Sequence, residues 1–383
     1  MLSGPDADSA LDAYGVLVRH SARPGPPLAL EDLIAEVLRR KASDLHLTAG
    51  QVPVLRVGGD LEPIEGAAVA TDDEMVSLVG LLTGAETTAA GTDGPAEVDC
   101  AFTSGDHRFR VNVYRSSGRL SAALRAIPLD VPRMGDLDLP AALLRWPQER
   151  RGLLLCAGPT GSGKTTTLAS VVRAISEERP CHIVTLEDPI EYLHHGGRAL
   201  IHQRSIGEDS VSFASALRAV LREDPDVIMV GEMRDPESVR LALTAAETGH
   251  LVLSTVHAAD SIGVINRLVD VFPGDEQPQV RTMLANTLLG VSCQTLVRDA
   301  LVPGRRHLVA EVLVVNDAVR ASIREGRPTA VAQAVETGAA SGMQTFDRAF
   351  ALAVHETKVS RAEAEALTPG RASFLRCLRD LGA

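Results

Sequence analysis

Ten residues, GPTGSGKTTT from Gly158 to Thr167, constrain this chain more than any other stretch. Two glycines five positions apart are followed by Lys164 and Thr165, the spacing of a P-loop. Such glycines let backbone N–H groups turn inward around phosphate oxygens, and a helix opening at Lys164 adds the positive end of its dipole. Gly158, Pro159, Thr160, Gly161, Ser162 and Gly163 supply the cradle. Lys164 is expected to reach the β- and γ-phosphates, Thr165 to place its hydroxyl on Mg²⁺, and Thr166 to continue the binding turn. The context fits: GLLLCA, Gly152 to Ala157, reads as a buried strand, and Leu168, Val171, Val172 and Ile175 then recur at helical spacing. The implied ligand is ATP with Mg²⁺.

Composition narrows what such a site serves. The 383 residues, 45% hydrophobic and 23% charged, suit a globular protein of two or three domains. No apolar run approaches the roughly eighteen residues of a membrane span. The N-terminus, MLSGPDADSALDAYG, lacks the basic start and apolar core of a signal peptide, so a cytoplasmic location is expected. With 38 basic and 50 acidic residues the formal charge is −12, and aromatics are 3%, a balance that argues against nucleic acid as a partner. Five scattered cysteines contain no CxxC pair, which excludes a zinc knuckle or a disulfide framework. Cys156 and Cys181 are expected inside buried strands.

Along the chain, residues 1–26 read as a Pro-, Gly- and Ser-rich flexible leader. Residues 27–128 read as a small α+β domain, opening with a helix (Leu30, Leu33, Ile34, Val37, Leu38) and continuing in short alternating strands. LDVPRMGDLDLP suggests a linker, 129–141. From 142 to 275 strands alternate with helices, the mark of a parallel sheet; HIVTLE, DVIMVGE and HLVLSTVH are its further strands. Asp235 caps a helix with Pro236 in its first turn, and Ser360 with Glu363 opens a late helix. Residues 276–383 read as mainly helical.

A P-loop needs more groups to hold metal, activate water and sense the terminal phosphate. Ligands of open α/β sheets sit at the carboxyl ends of strands. Three segments provide candidates there: Glu187, Asp188 and Glu191 in TLEDPIEY, Glu232 in VIMVGEMRD, and His250 and His257 bracketing HLVLSTV. Glu232 follows four apolar residues, where the acid that activates water is expected.

GPTGSGKTTT, TLEDPIEY, LREDPDVIMVGEMRDPES and LTAAETGHLVLSTVHAADS together resemble the P-loop, Asp box, Walker B and His box of the secretion ATPases, which power type II secretion and type IV pili. The resemblance runs from about residue 28 to about 358. It implies an α/β architecture: a PAS-like α+β N-terminal domain, a RecA-like P-loop ATPase core and a helical C-terminal region. It also implies roles. Glu232 would activate water, Glu187 would assist, Asp188 and Glu191 with Thr165 would serve the metal, and His250 and His257 would respond to the γ-phosphate. Arg110 and Arg125 match arginines of the N-terminal domain that reach nucleotide in this family. The implied assembly is a homohexamer in which hydrolysis moves one lobe against the other. It would lie at the inner membrane against a pilus platform protein, with a paralogous retraction ATPase as a further partner.

Within the family the pilus-retraction branch is the nearest match. The start ASDLHLTAG fits, the tetracysteine zinc element is absent, and AVRASIREGR resembles the segment associated with retraction, with Ala321–Ser322 replacing its Asn-Leu. The rival readings are an assembly or type II secretion ATPase without its zinc module and a retraction-accessory paralogue. A nucleotide-gated structural subunit and a nucleic-acid translocase are further rivals; Lys164, Thr165 and Glu232 argue against the first, charge balance against the second.

Overall fold

A computed structural model describes residues 28–84, 97–105, 107–127, 130–302 and 304–382; the expected leader, 1–26, lies outside them. The fold is mixed α/β and divides into two units, one ending at Ile127 and one beginning at Pro128.

The first unit is a six-stranded antiparallel sheet with two helices. Helix α1 (Leu30–Arg40) buries Leu30, Leu33, Ile34 and Val37. Helix α2 (Asp72–Thr83) starts from a reciprocal capping box of Thr71 and Glu74. Strands β1 (Asp44–Thr48), β2 (Val54–Val57), β3 (Asp60–Pro63), β4 (Glu97–Ser104), β5 (His107–Ser116) and β6 (Arg119–Ile127) lie in the order β3-β2-β1-β6-β5-β4. Alternation divides the sheet's faces. Leu45, Leu55, Phe109, Val111 and Leu124 join the helices in one core. The register sets Arg56, Asp44, Arg125 and Arg110 in a row across neighbouring strands, in the alternate positions.

The second unit holds a seven-stranded sheet in the order β13-β12-β7-β11-β10-β8-β9. These are β7 (Gly152–Ala157), β8 (His182–Glu187), β9 (Leu200–Ser205), β10 (Val227–Val230), β11 (Leu251–Val256), β12 (Leu288–Arg298) and β13 (Arg306–Val314). All neighbours run parallel except the β12–β13 hairpin. Both faces are covered, which is why the strands read as continuous apolar runs rather than alternating ones. Leu154, Cys156, Met229 and Leu253 pack with Leu168, Val171, Val172 and Ile175 of α3 (Lys164–Glu178). Leu153, Leu155, Ile228 and Val252 face the opposite core with α4 (Phe213–Val220), α5 (Pro236–Glu247), α6 (Ser261–Asp270) and α7 (Gln277–Thr287). Five helices follow: α8 (Asp317–Arg324), α9 (Pro328–Thr337), α10 (Phe346–His355), α11 (Arg361–Leu367) and α12 (Arg371–Leu381). The expected caps form: Asp235 accepts from the Ser238 N–H with Pro236 opening α5, and Ser360 accepts from the Glu363 N–H.

Three sequence expectations change. Residues 276–383 are not helical throughout, since β12 and β13 lie within them. LLGVSCQTLVR is buried on both sides beside β7, and a short apolar run of that kind carries no period to separate strand from helix. Cys156 is buried in β7, but Cys181 is only half-buried and precedes β8. The presumed linker residues 130–141 are fastened to the second unit. Met134 lies in its core, Arg173 donates to the Val131 carbonyl, and Asp138 accepts from His307 Nδ1 (2.6 Å) and from Lys358 Nζ (2.9 Å). The other ring nitrogen of buried His307 is 2.7 Å from Asp299.

Leu155 is fully buried mid-strand in β7. Leu155→Ala is expected to cost about 2–5 kcal/mol, read as a lower denaturant midpoint of the full chain.

Candidate functional site

The phosphate loop has the geometry its glycines allow. Gly158, Gly161 and Gly163 have φ of 140, 78 and 90°, a region that side-chain-bearing residues rarely enter. At Gly158 space is as decisive as angle: a Cβ there would lie 2.3 Å from the Gln294 carbonyl oxygen and 2.6 Å from Ser162 Oγ. The loop opens directly into α3 with no side-chain cap, which leaves the N–H groups of its first turn available to a ligand. Ser162 Oγ is buried without a hydrogen-bond partner, an acceptor and donor left for a ligand. Lys164 is buried and folds over the loop, donating to the carbonyls of Gly158 and Pro159, both at 2.8 Å. Burial lowers its pKa, while Cys156, Glu232 and Glu191 pull the other way. This cradle fits a nucleoside polyphosphate. Thr165 sits in the same first turn, and Mg²⁺ bound with nucleotide needs few protein ligands.

Gln294 was not apparent in the sequence as a site residue. Its carboxamide, wholly buried, accepts from Thr167 Oγ1 (3.2 Å) and donates to Ser292 Oγ (3.1 Å), so β12 forms the wall against which the loop is built. The available signal was one amide among the mostly apolar residues 288–297.

Parallel register brings the other candidates to one edge. Val256 pairs with Ala157, Ser254 with Val230, and Val230 with Leu186, so the residues after each strand emerge side by side. Glu232 leaves β10 only 16% exposed, 2.5 Å from an Arg234 guanidinium nitrogen and 3.6 Å from His257 Nε2. The His257 pKa is lowered, first by burial and then by the Lys164 charge, although Glu232 opposes both. A neutral imidazole therefore faces the Glu232 carboxylate at neutral pH. Glu187, 3% exposed, accepts from Thr185 Oγ1 (2.7 Å), Gln203 Nε2 (3.2 Å) and the Glu191 N–H (3.2 Å), and burial raises its pKa. Asp188 and Glu191 are exposed on the loop that follows. Among the described residues no three His, Cys, Asp or Glu side chains group as a metal site.

His250 is not among the converging residues. It precedes β11, where its carbonyl accepts from the Gly152 N–H and its Nδ1 lies 2.9 Å from the Ala245 carbonyl. That is the amino edge of the sheet, a strand's length from the loop after β7. The expectation that His250 responds to γ-phosphate is therefore withdrawn for this chain's own pocket; bracketing one strand necessarily puts the two histidines at opposite ends. Arg110 and Arg125 belong to the first unit, on β5 and β6, where Arg125 Nε donates to Asp44 Oδ1 at 2.8 Å.

The family model for type II/IV secretion system proteins matches residues 22–367. The type IV pilus retraction ATPase PilT of Pseudomonas aeruginosa is 39% identical over 336 residues, 88% of this chain and 96% of that protein. A twitching motility protein of Neisseria gonorrhoeae is 40% identical over 319 residues, 81% and 84% of the two chains. A crystal structure of the pilus retraction motor PilT with bound ADP superposes with a TM-score of 0.83 at 38% identity, covering 91% of this chain and 99% of that one. No helix among the described residues is long and apolar enough to cross a membrane.

Gly158→Ala should strain or displace the loop, costing about 1–3 kcal/mol of stability and weakening binding of a fluorescent nucleotide by at least about tenfold. A second expectation concerns His194, on the loop after β8. Burial lowers its pKa to about 4 from 6.5, and its Nε2 has no hydrogen-bond partner. The unfolded chain then takes up a proton near pH 6.5 that the folded chain refuses until about 4. Stability is whole above that window and falls as pH drops through it, by on the order of 3 kcal/mol. Urea titrations from pH 7 to 4 should show this slope, and His194→Gln should flatten it.

Proposed function

The chain belongs to the type II/IV secretion system protein family, and from that footing we propose that it is an ATP-hydrolysing motor driving retraction of type IV pili, and so twitching motility. The observation that carries the reading is Glu232 held 3.6 Å from His257 Nε2, with both close enough to Lys164 to influence charge. In this reading Lys164 turns from the loop carbonyls to the β- and γ-phosphates, and backbone N–H groups of residues 160–166 bind their oxygens. Thr165 would hold Mg²⁺, with Asp188 and Glu191 serving its shell, and the ion would offset phosphate charge. Glu232 takes the proton of the attacking water, and Arg234 and His257 orient the carboxylate. Glu187 assists from its buried position by fixing the Glu191 backbone. Arg110 and Arg125 are the arginines proposed to meet the phosphates during the cycle, supplying positive charge as the transition state forms.

The finer architecture belongs to the same proposal. The parallel unit is read as a RecA-like core, the antiparallel unit as PAS-like, and the working form as a homohexamer. It acts at the inner membrane on a pilus platform protein and alongside a paralogous retraction ATPase.

Glu232→Gln keeps shape and loses the base. Phosphate release should fall by about 10²–10³-fold while ADP binding stays within twofold. Unchanged turnover would reject Glu232 as the base. In cells, a deletion strain should assemble pili that never shorten; a strain with no pili at all would favour an assembly motor.

A further inference from the structure

Between the P-loop helix and the sheet edge lies a set of hydrogen bonds that no proposed role uses. Gln203, half-buried on edge strand β9, faces the loop that leaves β8. Its Oε1 accepts from the His194 N–H (2.8 Å), and its Nε2 donates to the Tyr192 carbonyl (2.8 Å) and to Glu187 Oε1 (3.2 Å). The three partners fix which end of the amide is oxygen and satisfy it almost fully. Tyr192, in turn, is buried against Val131 and Ala169, and its hydroxyl lies 2.9 Å from Thr166 Oγ1 in the first turn of α3. A continuous path therefore runs Glu187–Gln203–Tyr192–Thr166, and the Glu191 N–H is bonded to its Glu187 end.

We infer that Gln203 and Tyr192 are positioning residues for hydrolysis, which together carry the loop 188–194 and clamp it to the first turn of the P-loop helix. The inference rests on the ATPase reading above. A glycine cradle has little rigidity of its own, and the first turn of a helix lacks backbone partners. The tyrosine hydroxyl holds Thr166, and with it the turn that presents Lys164 and Thr165. The same tyrosine is fixed through its carbonyl by Gln203, so Glu191 and the phosphate-binding turn are set by one framework. Neither residue touches nucleotide; each acts through Thr166 or the loop.

Full-length protein is assayed for phosphate release and for equilibrium binding of fluorescent ADP. Tyr192→Phe should lower kcat by about tenfold or more, with KM and ADP affinity within twofold, and Thr166→Val should lower kcat by a similar factor. The double variant should be no slower than the slower single, because both remove one bond. Additive losses, or full kcat in Tyr192→Phe, overturn the clamp. Gln203→Glu supplies a second reading. The introduced carboxylate still accepts from the His194 N–H but cannot donate to Tyr192 or Glu187, so kcat should be low at neutral pH. It should recover towards wild type as acid protonates the new group; a wild-type pH profile would reject Gln203. Failure of the wild-type chain to release phosphate would instead remove the ATPase reading, and this inference with it, before any variant is compared.

Discussion

Parallel hydrogen bonding from β7 through β11 and β10 to β8 is the constraint on which the site depends. Each ladder fixes where a strand stops relative to its neighbour, and here the stops fall close together: Ala157 pairs with Val256, while Val230 pairs with Leu186 and with Ser254, two residues before β11 ends. The residues that follow inherit that alignment, so a glycine loop, an acid and an imidazole meet without being neighbours in sequence. Because period-two alternation sends each strand residue to one face or the other, a one-residue slip would disturb two cores at once. The burial that holds the sheet therefore also holds the chemistry.

The electrostatics follow from the same depth. Lys164, His257 and Glu187 are each pushed towards their neutral forms by burial, and each is answered by nearby polar groups. Such opposed influences leave charge responsive to what enters the pocket. A polyphosphate brought beside Lys164 favours its ammonium form and displaces the loop carbonyls it now bonds.

Much of this was legible in the sequence, for definite reasons. The P-loop announces itself because glycine spacing and the following helix are local. The strands HIVTLE, VIMV and HLVLSTV are legible because parallel strands are apolar throughout, and Glu232 stands out as the first charge after such a run. Legibility ended where a residue's meaning is set by partners far along the chain. Gln294 lies 127 residues from Thr167, and Gln203 serves a loop that precedes its own strand. β12 was hidden because it follows α7 with no turn residue between them, and Gly290, Ser292, Gln294 and Thr295 break its apolar run. His250 misled because adjacency to a strand does not say which end faces the ligand.

The attachment of Asp138 has a mechanical corollary. Residues 130–138 are tethered through His307 to β13 and, beyond it, to Asp299 at the start of the β12–β13 turn. The other strand of that hairpin carries Gln294 against Gly158. Any displacement of residues 130–138 within the second unit thus falls first on a two-stranded lever whose inner arm is the wall of the phosphate cradle.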